Sequence, residues 1–380
     1  MKKGLLIALG ELFLKSFRVQ KIFKRKLIGN LSFFLKKIDL PFKIKTWRER
    51  IFVETEDIKK AKKIVKNIFG ISWFSEAFLM EDDLKTVADF LKKNHHWLIE
   101  KNQTFALRVK KSPEIKETTK KITDILAKNI KRKVNLDKPD KEIFVEFRKG
   151  GVFIYFRKIK GSGGLPVGSS GRALSLISGG IDSPVASYLI TKRGVENLWL
   201  HFHSFPLVSR ISQEKVKELA QVFLNYQPHL KIYFVPFANI QIAIKTKILP
   251  KYRILFYRRI MFKIAQEIAK KESCLALVTG ESLAQVSSQT LPNLKIIEDT
   301  IELPVLRPLI GWDKEEIIKL AKKINTYSIS IKPQEDCCTL FTPRHSTALG
   351  NLEKIKNLEK SLPLKKLIKK SLEKLEVLNF

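Results

Sequence analysis

Hydrophobic positions change period several times along the chain, and each change marks an element. Leu5 to Leu9 is a short apolar run that predicts a strand. Phe17 to Leu35 sets Phe23, Leu27, Leu31 and Phe34 on one side, the spacing of an amphipathic helix. Trp47 to Val53 alternates as a strand does. Asp57 opens a helix with Ile58, Ala61, Ile64, Val65 and Ile68 in phase, and Gly70 is expected to stop it. Helices follow at Asp82 to Lys93 and Glu117 to Ile130, and a strand at Thr104 to Lys111. Alternating strands at Glu142–Phe147 and Val152–Phe156 are joined through Lys149-Gly150-Gly151, a hairpin signal. Gly161 to Gly171 is rich in glycine and serine and predicts a flexible linker.

Beyond that linker, strands and helices alternate. Ala173–Ile177, Val195–Phe202, Leu230–Val235 and Cys274–Val278 read as strands, and Gln213–Tyr226, Arg253–Lys271 and Asp313–Ile324 as helices. Such alternation predicts a doubly wound, mostly parallel sheet, whose ligands bind at the carboxyl ends of the strands. Leu364, Leu367, Ile368, Leu372 and Leu375 form a helical stripe near the end, expected to pack on the body or on a second subunit. The chain therefore reads as an α/β multidomain protein. Its expected parts are an α+β unit at 1–56, a second α/β unit at 57–160, a linker at 161–171, the parallel-sheet unit at 172–350 and a helical tail at 351–380.

Charge adds a partner class to this picture. Among 380 residues, 72 Lys and Arg face 38 Asp and Glu, a net charge of +34 spread over the whole chain. Such a field favours a polyanion, and the basic run Lys21, Lys24, Arg25 and Lys26 on the first helix points to RNA. Lys2 and Lys3 before an apolar stretch look faintly like a signal peptide, but Glu11 and Lys15 interrupt it and no small-residue cleavage site follows. No apolar run approaches the length of a membrane span. Three cysteines, Cys274, Cys337 and Cys338, are too few for a disulfide framework and suit a cytoplasmic setting with no membrane partner.

The candidate chemistry lies at the predicted strand ends. Ser178-Gly179-Gly180-Ile181-Asp182-Ser183 follows the first strand of the parallel unit. The glycines leave the backbone bare, Asp182 or Ser183 can cap the next helix, and Pro184 suits its first turn. Amide groups at a helix start seat phosphate. No Gly-Lys-Ser/Thr follows, so this is not a Walker loop. A plain strand–turn–helix is the structural alternative. The second strand ends in His201-Phe202-His203-Ser204, with the two histidines expected on opposite sides and no third metal ligand in view. The last gives Thr279-Gly280-Glu281-Ser282-Leu283-Ala284-Gln285-Val286-Ser287-Ser288-Gln289-Thr290. Tyr257-Arg258-Arg259 lies on the long helix, where an arginine can meet phosphate. Cys337 and Cys338 sit in a proline-bracketed loop; Arg344 or His345 would favour the thiolate there, and Glu335 and Asp336 oppose it.

Ser-Gly-Gly-Ile-Asp-Ser resembles the pyrophosphate loop of PP-loop ATP pyrophosphatases. Together with Gly10-Glu11, Leu14-Lys15, His-Phe-His-Ser, Tyr-Arg-Arg, the Thr279–Thr290 stretch, Leu306-Arg307-Pro308-Leu309 and Glu-Asp-Cys-Cys-Thr, the chain resembles the ThiI family of tRNA 4-thiouridine synthetases to about Leu349. The resemblance implies a ferredoxin-like domain, a THUMP RNA-binding domain and a PP-loop domain. It implies ATP- and Mg2+-dependent sulfur transfer to the uridine at position eight of tRNA, with a cysteine desulfurase as sulfur donor. By motif, Ser178, Gly179, Gly180 and Ser183 would hold pyrophosphate, and Leu176 and Ile177 would line the nucleotide through their backbone. His201 and Phe202 would meet the adenosine, and Arg258, Gly280 and Gln289 would complete the site. Asp182 would be essential to activation, and Cys337 would be the catalytic cysteine, with Cys338 or Cys274 as partner thiol.

Two departures qualify the resemblance. The chain ends at Phe380 without the rhodanese domain many members carry, which leaves the sulfur route and a role in thiazole synthesis open. Cys274 lacks a Cys-x-x-Cys mate, so an iron–sulfur cluster on Cys274, Cys337 and Cys338 is the lesser reading. A homodimer is expected to be able to hold tRNA on one subunit and modify it on the other. Two competing readings are another PP-loop tRNA modifier, of the 2-thiouridine or lysidine type, and a non-catalytic tRNA-binding protein with a relict nucleotide fold. The first would lack the THUMP-type front half; the intact loop and Cys337 argue against the second.

Overall fold

Leu5 and Ile7 leave β1 (Lys2–Leu9) on one face and Leu6 on the other, and all three are fully buried. The strand is therefore covered on both faces and sits inside a sheet. In the computed structural model, which describes residues 1–11, 16–333, 340–341 and 346–380, the chain forms two compact units, Met1–Pro166 and Val167–Phe380.

In the first unit, β1 is followed by α1 (Phe17–Lys36), β2 (Lys43–Thr46), β3 (Arg50–Glu54), α2 (Ile58–Val65), β4 (Ile71–Met80) and α3 (Leu84–Leu98). Then come β5 (Phe105–Lys111), α4 (Thr119–Ala127), β6 (Lys141–Arg148), β7 (Gly151–Tyr155) and β8 (Ile159–Gly163). The sheet order is β2-β3-β1-β4-β7-β6-β5, with β8 also paired to β4. Leu5 and Ile7 pack with Leu27 and Leu31 of α1 and Ala61 and Val65 of α2, while Val87 and Leu91 of α3 meet Ile122 and Leu126 of α4 in a separate core. Asp57, Asp83 and Thr118 cap α2, α3 and α4 through side-chain oxygens.

Several expectations change here. Trp47 to Val53 is not one strand: Trp47, Arg48 and Glu49 form the turn between β2 and β3, and Trp47 packs edge-on against Phe153 with centroids 4.8 Å apart. The sheet does not break after residue 56, because β4 pairs with β1 on one side and β7 on the other. The helix begun at Asp57 ends at Val65, and Gly70, at φ +97°, makes the turn into β4. The expected flexible linker is partly strand. A Cβ on Gly161 would lie 2.3 Å from the Ile71 carbonyl oxygen, so this glycine serves close approach of β8 to β4 rather than freedom. Leu165 and Val167 are buried. Of the basic run on α1, Lys24 is tied to the Trp47 carbonyl, and Lys21, Arg25 and Lys26 stay exposed.

The second unit runs β9 (Arg172–Leu176), α5 (Asp182–Lys192), β10 (Glu196–His203), α6 (Ile211–Phe223), β11 (Lys231–Pro236), α7 (Ala238–Lys247), α8 (Arg253–Lys271) and β12 (Ala276–Val278). It continues with α9 (Leu291–Glu298), β13 (Val305–Leu306), α10 (Lys314–Lys323), α11 (Tyr327–Ser330), α12 (Leu352–Glu359), α13 (Leu364–Glu373) and β14 (Glu376–Asn379). The sheet order is β13-β12-β9-β10-β11-β14, with β14 antiparallel on β11 and the others parallel. The order reverses between β9 and β12, which opens a crevice above their carboxyl ends. The tail belongs to this unit and is not wholly helical. Leu364, Leu367, Ile368, Leu372 and Leu375 pack on its own core, and β14 closes the sheet edge. Among the described residues, no helix is long and apolar enough to cross a membrane.

Candidate active site

β9 hands the chain to the glycine loop at the switch point. Ile177 N–H donates to the Leu200 carbonyl (2.8 Å), so the loop begins where β9 leaves β10. Ser178 N–H donates to Ser183 Oγ (3.1 Å), and Gly180 N–H donates to Ser178 Oγ (3.2 Å). Gly179 adopts φ +81°, a backbone that favours glycine. From below, Ser330 Oγ donates to the Gly180 carbonyl (3.2 Å). The loop is thus shaped by its own serines and presents the start of α5.

Asp182 does not cap this helix. Ile181 occupies the N-cap with no side-chain cap bond, and the Asp182 carboxylate is taken by side chains from other segments. Gln285 Nε2 donates to its Oδ2 (3.0 Å) and the Lys314 ammonium pairs with its Oδ1. The strand-end segments are pressed together at Gly280. A Cβ there would lie 2.7 Å from Ser183 N and 2.8 Å from the Asp182 carbonyl carbon, so only glycine lets the loop after β12 touch the loop after β9. Thr279 N–H donates to the Leu306 carbonyl (3.1 Å), which brings the end of β13 to the same crevice.

Above this floor lies a buried charge cluster. Glu281 is 2% exposed. Its carboxylate takes the guanidinium of Arg258 from α8 on one oxygen, and Arg307 together with Thr279 Oγ1 (2.9 Å) on the other. Arg307 also pairs with Glu298. Burial alone would raise the Glu281 carboxyl, but the Arg258 and Arg307 charges outweigh it and hold it below the usual carboxylate range. Arg259 faces away from the site, into the core, bound to the Ile296 carbonyl and Glu359 (2.8 Å). Gln289 is buried in a turn of 3-10 helix, Ser287–Gln289, with its Oε1 lacking a partner among the described residues.

His201 and Phe202 are committed inward. Burial lowers His201 to about 4, so the ring is neutral near pH 7. Its Nδ1 lies 2.7 Å from the Ile177 carbonyl oxygen and therefore carries the proton, and its Nε2 accepts from Ser212 Oγ (3.2 Å). The ring fixes the root of the glycine loop. Phe202 packs edge-on against Phe237 (5.4 Å) in the main core. Neither side chain is free for a ligand, although their backbones line the end of β10. The expectation that His201 and His203 face opposite sides fails, since residues two apart on a strand share a face.

Cys274 does not belong here. It precedes β12, at the opposite end from Thr279 and Gly280, and burial pushes its thiol up to about 12. It suits neither a partner thiol nor a ligand of a cluster at this site. Among the described residues, no three His, Cys, Asp or Glu side chains converge to hold a metal. Cys337 and Cys338 lie outside the described residues, as do Leu14, Lys15, Arg344 and His345. At pH 8, native protein treated with an alkylating thiol reagent is expected to leave Cys274 unmodified by peptide mass mapping, and unfolded protein to modify it fully. Labelling of native Cys274 as fast as a free thiol would contradict this placement.

A parallel sheet reversing at β9/β12, a serine–glycine loop and an arginine pair on one buried glutamate define a PP-loop nucleotide unit that follows ferredoxin-like and THUMP units in the chain. Residues 4–75 match the ThiI ferredoxin-like domain, 81–157 the THUMP domain, and 168–364 the family described as thiamine biosynthesis protein (ThiI). The chain belongs to the ThiI family. A protein of Moorella thermoacetica named probable tRNA sulfurtransferase is 41% identical, covering 100% of this chain and 98% of its own. One of Listeria welshimeri with the same name is 40% identical over 98% of this chain and 94% of its own. A 4-thiouridine synthetase solved in complex with RNA and bound ATP is similar with a TM-score of 0.88 and 33% identity, covering 100% of both chains.

Proposed function

We propose that the chain is an ATP-dependent tRNA sulfurtransferase that forms 4-thiouridine at position eight. The observation that carries this is the seating of Gly280 on the Asp182–Ser183 backbone, which brings the loop after β12 against the serine–glycine loop and its Asp182–Lys314 pair. The likeness to the RNA- and ATP-bound 4-thiouridine synthetase supports the same reading.

ATP rests its phosphates on the Ser178–Ser183 amides, with Arg258 and Lys314 as cations beside them and its adenosine along the backbone of Leu176, Ile177, His201 and Phe202. Gln289 and the Gly280 backbone complete the pocket. Asp182, the one carboxylate on the loop, and the adjacent Ser183 hydroxyl are oxygen donors of the kind Mg2+ takes alongside substrate phosphates, and Lys314 and Gln285 would have to yield the carboxylate to it. Mg2+ held there would neutralise phosphate charge. The base must leave its stack to reach the crevice. Uracil O4 attacks the α-phosphorus as N3 loses its proton. The bond to the bridging oxygen breaks and pyrophosphate departs. A persulfide sulfur on Cys337, supplied by a cysteine desulfurase, then attacks carbon 4. The carbon–oxygen bond breaks and AMP leaves with the former O4. A second thiol, with Cys338 the remaining choice, opens the base–sulfur–Cys337 disulfide. The base keeps its sulfur and regains a proton, and a dithiol reductant restores the two thiols. Exposed Lys21, Arg25 and Lys26 are assigned to tRNA phosphates.

Incubation with unmodified tRNA, Mg-ATP, cysteine and a desulfurase tests this. The expected result is 4-thiouridine by nucleoside mass spectrometry with AMP and pyrophosphate; ATP left uncleaved and no thionucleoside would sink it. Gly280→Ala gives a second check. Its methyl group must push the Asp182–Ser183 backbone aside, and displacements of this kind cost about 100-fold in rate. Pyrophosphate release should fall by that order with the circular dichroism unchanged; wild-type turnover would contradict the packing.

A further inference from the structure

We infer that Glu281 is a positioning residue of the nucleotide site, and that through it Arg307 becomes the second guanidinium aimed at the phosphates. This rests on the nucleotide reading above. The carboxylate is next to Gly280 in the crevice proposed to take a polyanion, where an unpaired negative charge would oppose binding. It is not unpaired. One oxygen holds Arg258, and the other holds Arg307 and the Thr279 hydroxyl, so both oxygens are occupied by groups from three different segments. Thr279 and Glu281 flank Gly280, the residue seated against Asp182 and Ser183. The same tripeptide thus fixes the glycine loop through its backbone and the two arginines through its side chains.

The arginines keep unused donors. Arg258 Nε and Arg307 Nη2 are buried without a partner among the described residues, while Arg307 Nε and Nη1 are taken by Glu281 and Glu298. A guanidinium whose fork is fixed on one edge offers its remaining N–H groups in a set direction. Without Glu281, two like charges from α8 and the segment after β13 would be left facing one another. Glu281 therefore aligns the arginines rather than merely cancelling their charge. The two roles predict opposite signs. Removal of a simple counter-charge would tighten anion binding, whereas removal of a positioning group loosens it.

Equilibrium binding of ATP and of adenosine to the full chain separates these roles. Adenosine carries no phosphate and reports the rest of the pocket. Glu281→Gln is expected to weaken ATP by about tenfold or more, the worth of one charge-assisted hydrogen bond, and to change adenosine binding by less than about twofold. Glu281→Asp keeps the charge and is one methylene too short to reach both arginines, so it should show the same selective loss in a protein of near-native melting temperature. Arg307→Lys should match Glu281→Gln, and the pair combined should lose no more than either alone. Unchanged or tighter ATP binding in both Glu281 variants would overturn the inference, as would equal losses for ATP and adenosine. Failure of the wild-type chain to bind ATP would overturn the nucleotide reading along with it.

Discussion

Asp182→Asn stops pyrophosphate release while leaving the fold intact: turnover with tRNA and ATP is expected to drop by at least about 100-fold. The side chain keeps its size and can still accept from the Lys314 ammonium. What it loses is the charge that holds that ammonium and Gln285 Nε2 over the start of α5. The carboxylate is only 19% exposed and also binds Gln285, so it gives the exposed lysine one defined anchor. Asp182 caps nothing, hence the melting temperature should move by no more than a few degrees. The check is AMP and pyrophosphate formation measured beside a thermal melt. Retained turnover would remove Asp182 from the chemistry; loss of both turnover and fold would make it structural.

Cys337→Ser should divide the reaction in two. A serine oxygen cannot carry a transferable persulfide sulfur, so 4-thiouridine formation is expected to fall by at least about a thousandfold, the scale on which removal of a nucleophile acts. In the proposed mechanism the adenylation step draws on the Ser178–Ser183 loop and its cations and not on Cys337, so pyrophosphate should still be released. Excess sulfide, able to attack carbon 4 directly, should restore part of the thiolation. Full activity from the serine variant with cysteine and desulfurase would move the sulfur elsewhere. Failure of pyrophosphate release would tie Cys337 to the first step.

The fold was largely legible because its strands and helices keep clean periods. Arg253–Lys271 begins and ends where its apolar spacing does, and β9 through β12 lie close to their apolar runs. Pattern failed where a tertiary partner chose the conformation. Trp47 continues an alternating run but turns back onto Phe153. Gly161 and Ser162 look like linker, yet Gly161 is strand because β4 leaves no room for a side chain. In α7, Ile240, Ile242 and Ile244 alternate as a strand would, and this alternation masks the helical spacing of Phe237, Ile240, Ile244 and Ile248, the positions that are buried.

The same division runs through the site. Ser178, Gly179, Gly180 and Ser183 announce themselves by type and order, and the structure assembles them with Asp182 and Gly280. Lys314 carries no signal of its own in the sequence, because it stands beside Asp313, whose capping of α10 accounts for the residues around it. Gln285 and Glu281 lie within the polar stretch after β12, but their roles are long-range: one meets Asp182, the other joins α8 to the segment after β13. His201 stands out in the sequence as a strand-end histidine, and the contacts of its ring are long-range. Its ring holds the Ile177 carbonyl and is spent on shaping the loop.

The proposed adenylation makes O4 of the target uridine an oxygen of AMP. It is tested by giving the enzyme a transcript labelled with heavy oxygen at uridine O4, together with ATP, cysteine and desulfurase, and weighing the AMP. One heavy oxygen in AMP is expected for each 4-thiouridine formed. Unlabelled AMP alongside 4-thiouridine, or ADP and phosphate in its place, would contradict it.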